Sequence, residues 1–285
     1  MCIRDRLKQH KEGPIFSSTC PAIVWYVEKF YPQLVKYLAP IVSPMIAMGR
    51  LIKTEDPEAK VVFVGPCAAK KAESKEESAG GVIDGVLTFH EVKEMFSEKG
   101  VIPEDEPDER FSGPKPNLAR YFAISGGLLR AAGFSDDITY NGIVNAHGRD
   151  YVIRLLSEIS QGKINARFIN FFFCHGCIDG PGIDNDLSIF RRRELISRYA
   201  QTDADPEQTE KDLEKYSNID LHRNFIMEPV SLPEIKEEEI QSIMAQMGKT
   251  NPAYIFNCGA CGYSCLLYTS PSPRDRTRSR MPSSA

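Results

Sequence analysis

Residues 167–177 read Arg-Phe-Ile-Asn-Phe-Phe-Phe-Cys-His-Gly-Cys. Arg167 to Phe173 is an apolar, aromatic-rich run of strand length, the strongest strand in the chain, and a Cys-x2-Cys follows it directly. An earlier stretch repeats the arrangement. Lys60-Val-Val-Phe-Val-Gly65 is a short β-branched run, read as a second buried strand, and Pro66-Cys67 follows it. In open parallel sheets ligands gather at the carboxyl ends of strands, so Cys67, Cys174 and Cys177 are candidates to face one site.

Helical signals alternate with these runs. Pro21 to Phe30 begins with Pro at the first helical position and stops before Pro32; Ser43-Pro44 opens a helix to about Ile52. Val82 to Phe89 is strand-like, and Thr88 with Glu91 forms a capping box for a helix ending at Gly100. Ile102 to Asn117 is an acidic, Pro-rich surface loop. Strand-like Tyr121 to Ile124 precedes a short helix from Gly126 to Ala132, and Ile138 to Ala146 is strand-like. Helices follow over Asp150–Gln161, closed by Gly162, and over Leu187–Gln201, Pro206–Tyr216 and Pro233–Met247. This alternation predicts an α/β fold with a largely parallel sheet.

Composition narrows the function classes. The 285 residues carry a net charge of −4 and are 42% hydrophobic, as in a globular domain. There is no basic stripe with interleaved aromatics, which argues against nucleic acid, and no run of membrane-spanning length. No secretory h-region opens the chain, so the expected compartment is cytoplasmic and reducing, where clustered cysteines bind metal or do redox chemistry. Cys20 precedes Pro21 at a helix N-terminus, where partial positive charge favours the thiolate. Four thiolates suit a 4Fe–4S cluster and equally suit tetrahedral zinc. Taken singly, each cysteine signal is weak.

The combination is more specific. Ser17-Ser-Thr-Cys-Pro21, Gly65-Pro-Cys-x-x-Lys-x-x-Glu73 and Phe173-Cys-x-x-Cys-x-x-Gly180, in this order, resemble the three signature segments of iron-only hydrogenases. Ser43-Pro44 with Met48-Gly49, and the turn Ser125-Gly126-Gly127, resemble further family elements over roughly residues 14–200. The resemblance implies a core of mostly parallel sheets flanked by helices, with the cluster at strand ends between two lobes. It implies a 4Fe–4S cubane on Cys20, Cys67 and Cys174, with Cys177 also bridging to a diiron subsite. Lys70 would donate to a cyanide ligand, with Glu73 beside it. Gly180 and Gly182, with Ser125, Gly126 and Gly127, would line the cofactor. Dihydrogen, a redox partner such as ferredoxin and cluster maturation proteins would be the partners, in an anaerobic setting.

The sequence also departs from the family pattern. Thr19 stands where efficient members carry a proton-relaying Cys, and Asn170 where they carry a carboxylate. Gly65 and Phe172 replace methionines, and the third signature has Cys-x2-Cys in place of Cys-x3-Cys. The ligand positions are kept while proton delivery is altered, which resembles the sensory branch of the family. Two other readings stand beside this one: an iron–sulfur assembly factor of the hydrogenase-related prelamin A recognition factor family, without the diiron subsite, and a zinc or thiol-redox protein. Lys70 and Glu73 favour the first reading. His90 is read as a surface residue, His175, between two proposed ligands, as passive rather than tuning the cluster, and His147 and Arg149 are assigned no chemistry.

Both ends read as foreign. Residues 1–6 and the Ser-, Pro- and Arg-rich residues 266–285 resemble sequencing-adapter read-through, which sets aside Cys2, makes Cys265 doubtful and leaves a fragment. Residues 7–265 carry 29 basic and 37 acidic residues, a net charge of −8. Residues 7–248 are expected to form the cluster-binding domain. Residues 249–265, with Asn257-Cys258-Gly-Ala-Cys261-Gly-Tyr-Ser264, resemble the truncated start of a second 4Fe–4S motif.

Overall fold

The computed structural model describes residues 13–107, 109, 111–132, 142–202, 205–231 and 236–246. The chain divides into two units, Met1–Val230 and Ser231–Ala285. Unit two is described by one helix, Glu237–Gln246. Cys258 and Cys261, both terminal segments, residues 138–141 of the strand-like run, and both ends of the Pro233–Met247 helix lie outside the described residues.

Unit one is built on two parallel sheets. In the first, β1 (Ile15–Phe16) and β4 (Ile143–His147) flank β5 (Phe168–Phe172). All five residues of β5 are buried, as its aromatic run requires. The register sets Ile15 opposite Phe168 on one side, and Ile143 to His147 opposite Phe168 to Phe172 on the other. Between these two ladders the chain carries α1 (Pro21–Phe30), α2 (Pro44–Glu55), β2 (Val62–Val64), α3 (Ala69–Glu73), β3 (Gly85–Leu87), α4 (Phe89–Lys99), α5 (Gly127–Ala131) and α6 (Arg149–Ser160). The α1 helix and α6 cover the first sheet through a core of Phe16, Ile23, Val24, Val27, Val152, Leu156, Ile169 and Phe171. Later come α7 (Ile189–Tyr199) and α8 (Pro206–Lys215). No described helix is long and apolar enough to cross a membrane.

The second sheet pairs β2 with β3, Val62 to Val64 against Gly85 to Leu87. It corrects the reading of KVVFVG as a buried strand: Val62 is 52% and Val64 43% exposed. Only one face of this sheet is packed. Val61 and Phe63 point to a core with Val42, Met45, Ile46 and Ile83, and strand alternation turns Val62 and Val64 outward.

Tyr121–Ile124 is a second correction. Asn117–Ala123 is a 3₁₀ helix, not a strand. A Cβ at Gly127 would meet the Tyr121 carbonyl oxygen at 1.7 Å, so the chain turns back on itself there, and turn bonds of the i→i+3 type replace any sheet ladder.

The capping box is formed as the sequence predicts. The Thr88 hydroxyl accepts from the Glu91 N–H, the Glu91 carboxylate accepts from Thr88 N, and Gly100 closes the helix in the left-handed region. Lys71, hydrogen-bonded to Glu91, and then the Thr88 N–H, hold the Glu91 carboxyl down to about 2. A depressed carboxylate stabilises the fold above its unfolded value, near 4.5, and that contribution is lost as pH falls towards 2. Glu91→Gln therefore flattens the thermal-midpoint profile between those values and leaves its shape near neutral pH unchanged. Thr88→Ala costs about 1 kcal/mol, read from denaturant unfolding.

Candidate metal centre

The chain brings its four described cysteines together from three segments, all as free thiols. Ser17 extends β1: its N–H donates to the Ile169 carbonyl at 2.9 Å, and its hydroxyl accepts from Phe171 N at 2.9 Å. Three residues on, Cys20 sits at the N-cap of α1 with Pro21 behind it. Cys174 and Cys177 follow β5, while Cys67 follows β2. Both sheets thus deliver cysteines from their carboxyl ends.

The thiols feel one another. Burial, then the charges of Cys20 and Cys67, pushes Cys174 up to about 11 and Cys177 up to about 12. Burial also raises Cys20, outweighing the backbone N–H groups that would lower it. This reverses the expectation from its helix N-terminus: desolvation of the anion exceeds the helix-end field. Among the described residues no three His, Cys, Asp or Glu side chains stand close enough to hold a single metal ion, yet the four thiols lie within electrostatic reach of one another, a spacing that suits a multi-iron group better than one zinc.

Lys70 lies beside this set, within electrostatic reach of Cys20 and Cys177. It is buried at 8% exposure, and Glu73 is fully buried. Lys70 Nζ donates to Glu73 Oε2 at 2.6 Å and to the Thr19 carbonyl at 3.5 Å. The neighbouring Lys71 is instead half-exposed and pairs with Glu91. On the relay positions, Asn170 is fully buried and donates through Nδ2 to Asn145 Oδ1 at 3.1 Å, with no partner for its own Oδ1.

The glycines serve loop-to-loop approach. A Cβ at Gly180 would lie 2.5 Å from the Pro66 carbonyl oxygen, and one at Gly182 would lie 2.7 Å from the Thr88 side chain. Gly182 N donates to that same Pro66 carbonyl at 2.8 Å. These contacts seat the third cysteine motif on the second. Gly126 adopts φ +84°, and Gly176, at φ +97°, packs the Cys174–Cys177 loop against Ala123 and Ser125. Phe63 closes over Gly65, its ring filling the space that a longer side chain there would need.

Two features escaped the sequence reading. His147 and His175 bring their Nδ1 atoms to 3.1 Å, because β4 and β5 end side by side; strand register is the signal that would have paired them. Arg223 pairs with Glu73 from 150 residues away, and no local pattern announces it. Gly180→Ala forces the third motif off the second, at about 1–3 kcal/mol. A faster reaction of Cys177 with a thiol reagent, together with a lower thermal midpoint, checks this.

Known proteins resemble the chain in parts. It is similar to Iron hydrogenase 1 of Clostridium pasteurianum, at 29% identity over 225 residues, covering 62% of this chain and 39% of that protein. It is also similar to the Cytosolic Fe-S cluster assembly factor NAR1 of Kluyveromyces lactis, at 32% identity over 99 residues, covering 35% of this chain and 21% of that protein. The chain therefore spans well under half the length of these curated relatives. A solved apo [FeFe]-hydrogenase HydA1 variant from Chlamydomonas reinhardtii superposes with a TM-score of 0.62 at 16% identity, over 80% of each chain, a likeness of fold. Residues 2–181, more than half of the chain, match the model of the iron only hydrogenase large subunit, C-terminal domain, and the chain belongs to that family.

Proposed function

We propose that this chain holds a 4Fe–4S cubane on Cys20, Cys67, Cys174 and Cys177, bridged through Cys177 to a diiron subsite, and reacts slowly with dihydrogen in a sensing role. The observation that carries the reading is the buried Lys70–Glu73 pair beside the thiols. A lysine is costly to bury unless anions on both sides use its charge. Glu73 supplies one, and a metal-bound cyanide would supply the other. When bound, the cofactor supplies an iron position at which the H–H bond is made or broken.

The protein's own groups do the rest. The thiolates offset the iron charge. An ammonium has three donor hydrogens; Lys70 directs two at Glu73 and Thr19, leaving one for an anionic ligand. The Thr19 hydroxyl can pass a proton but does not ionise near neutral pH, and the Asn170 amide is no acid or base. Proton delivery is therefore weak while cofactor binding is kept, the combination a sensor needs. Electrons would come and go through a partner such as ferredoxin, and maturation proteins would insert the subsite. Cys258 and Cys261 would begin a second 4Fe–4S site.

The resemblance to NAR1 proteins favours a second reading, an iron–sulfur assembly factor without the diiron subsite. Infrared spectroscopy of cofactor-matured protein separates the two. Bands from iron-bound carbonyl and cyanide support the first; their absence alongside a 4Fe–4S signal sinks it and supports the second. Thr19→Cys combined with Asn170→Glu raises dihydrogen turnover at least about tenfold, since a positioned acid or base contributes roughly 10²–10⁴-fold. Turnover by the unmodified protein equal to that of fast hydrogenases would refute the sensing assignment.

A further inference from the structure

The segment following α8, from Asn218 to Val230, contains no cysteine and lies beyond the residues matched by the family model. It crosses unit one as a strap. Leu221 O accepts from Val42 N at 2.9 Å, His222 bridges to Ile41, and Arg223 N donates to Pro40 O at 3.2 Å. Farther along, Ile226 N donates to Glu28 Oε1 at 3.1 Å, and Val230 N to Lys29 O at 3.1 Å. Thus pinned on both sides, the strap drives one side chain inward. Arg223 is 5% exposed, and its guanidinium bridges two carboxylates. Nη1 donates to Glu73 Oε1 at 3.1 Å, and Nη2 donates to Glu76 Oε2. Glu76 also accepts from Trp25 Nε1 and from Ser78 Oγ.

Each oxygen of Glu73 therefore serves a different cation, Lys70 on Oε2 and Arg223 on Oε1. The group sets Lys70 and Arg223 against Glu73 and Glu76, with the buried Glu28, whose carboxyl burial pushes up, in electrostatic reach of Arg223 and Glu76. Without Arg223, Glu73 and the quarter-exposed Glu76 would share Lys70 alone, in surroundings that screen charge less than water does. Its ammonium would be drawn back towards them, and one uncompensated negative charge would stand beside the thiols.

We propose that Arg223 is a positioning residue: by taking one oxygen each of Glu73 and Glu76, it keeps Lys70 directed at the cysteine centre and sets the charge behind that centre. The proposal rests on the reading that an iron–sulfur group occupies the four cysteines. Only a planar fork with two separated Nη groups reaches both carboxylates at once, so Lys at this position keeps the charge and loses the bridge.

The test uses the full chain reconstituted with iron and sulfide, and the same chain after maturation. The cubane midpoint potential is followed by electron paramagnetic resonance during redox titration, and thermal midpoints are measured in parallel. R223Q shifts the potential downward, because added negative charge disfavours the reduced cluster. E76Q shifts it upward, and R223Q/E76Q returns towards the unmodified value. R223K restores the potential, while the cyanide bands of matured protein stay displaced, since Lys70 is no longer held. Arg223 is a strut and nothing more if R223Q lowers the thermal midpoint but leaves both the potential and the cyanide bands in place. Should R223Q fail to fold, an unchanged potential in E76Q overturns the proposal. Matured protein without carbonyl or cyanide bands would end the diiron reading, while the potential series would still decide the role of Arg223.

Discussion

The parallel pairing of β5 with β1 and β4 is the constraint on which the cysteine geometry hangs. A strand buried along its whole length must satisfy its backbone groups from both edges, and here it does so with β4, one helix earlier, and with β1, near the start of the described chain. Because the pairing is parallel, all three strands end at the same rim. The Ser17 hydroxyl caps one ladder, and Gly148 N, donating to the carbonyls of Phe172 and Cys174, caps the other. Cys20 and the Cys174–Cys177 loop are consequences of where those ladders stop. Cys67 arrives from the other sheet and is held in register by the Pro66 carbonyl, which the Gly180–Gly182 loop grips.

Electrostatics completes what the ladders begin. The interior near the rim holds thiols that burial makes weaker acids on one side, and on the other Lys70 and Arg223 paired with Glu73 and Glu76. Placing charge so deep is unfavourable unless every carboxylate oxygen is used, and the oxygens of Glu73 and Glu76 all have partners. A metal bound at these thiols would displace their protons, so ligand identity and local charge would be coupled.

How legible this was depended on the distance over which each cause acts. Arg167–Phe173 read correctly because a run of aromatics has one stable place, the middle of a core. The Thr88–Glu91 box, Pro21 and Gly162 read correctly because capping is local. Ile15–Phe16 escaped notice because two residues make a strand only when a partner waits. Val62 and Val64 looked buried because β-branched runs usually are, yet this two-stranded sheet is covered on one side only. The order of the cysteine motifs was readable as a resemblance. The burial of Lys70 was not, since Glu73, which it pairs with, is shared with Arg223, 150 residues further along the chain.

The hydrogen bond from Phe171 N to the Ser17 hydroxyl spans 154 residues, and this separation has a consequence in time. A ribosome releases the first cysteine segment long before the strand that positions it. Through that interval Cys20 and Cys67 have no rim to stand on, and closing so long a loop makes the pairing a late event in folding. The four thiols can act as one only after Cys177 has been made. Until then Cys20 and Cys67 are ordinary thiols, open to oxidation or to stray metal.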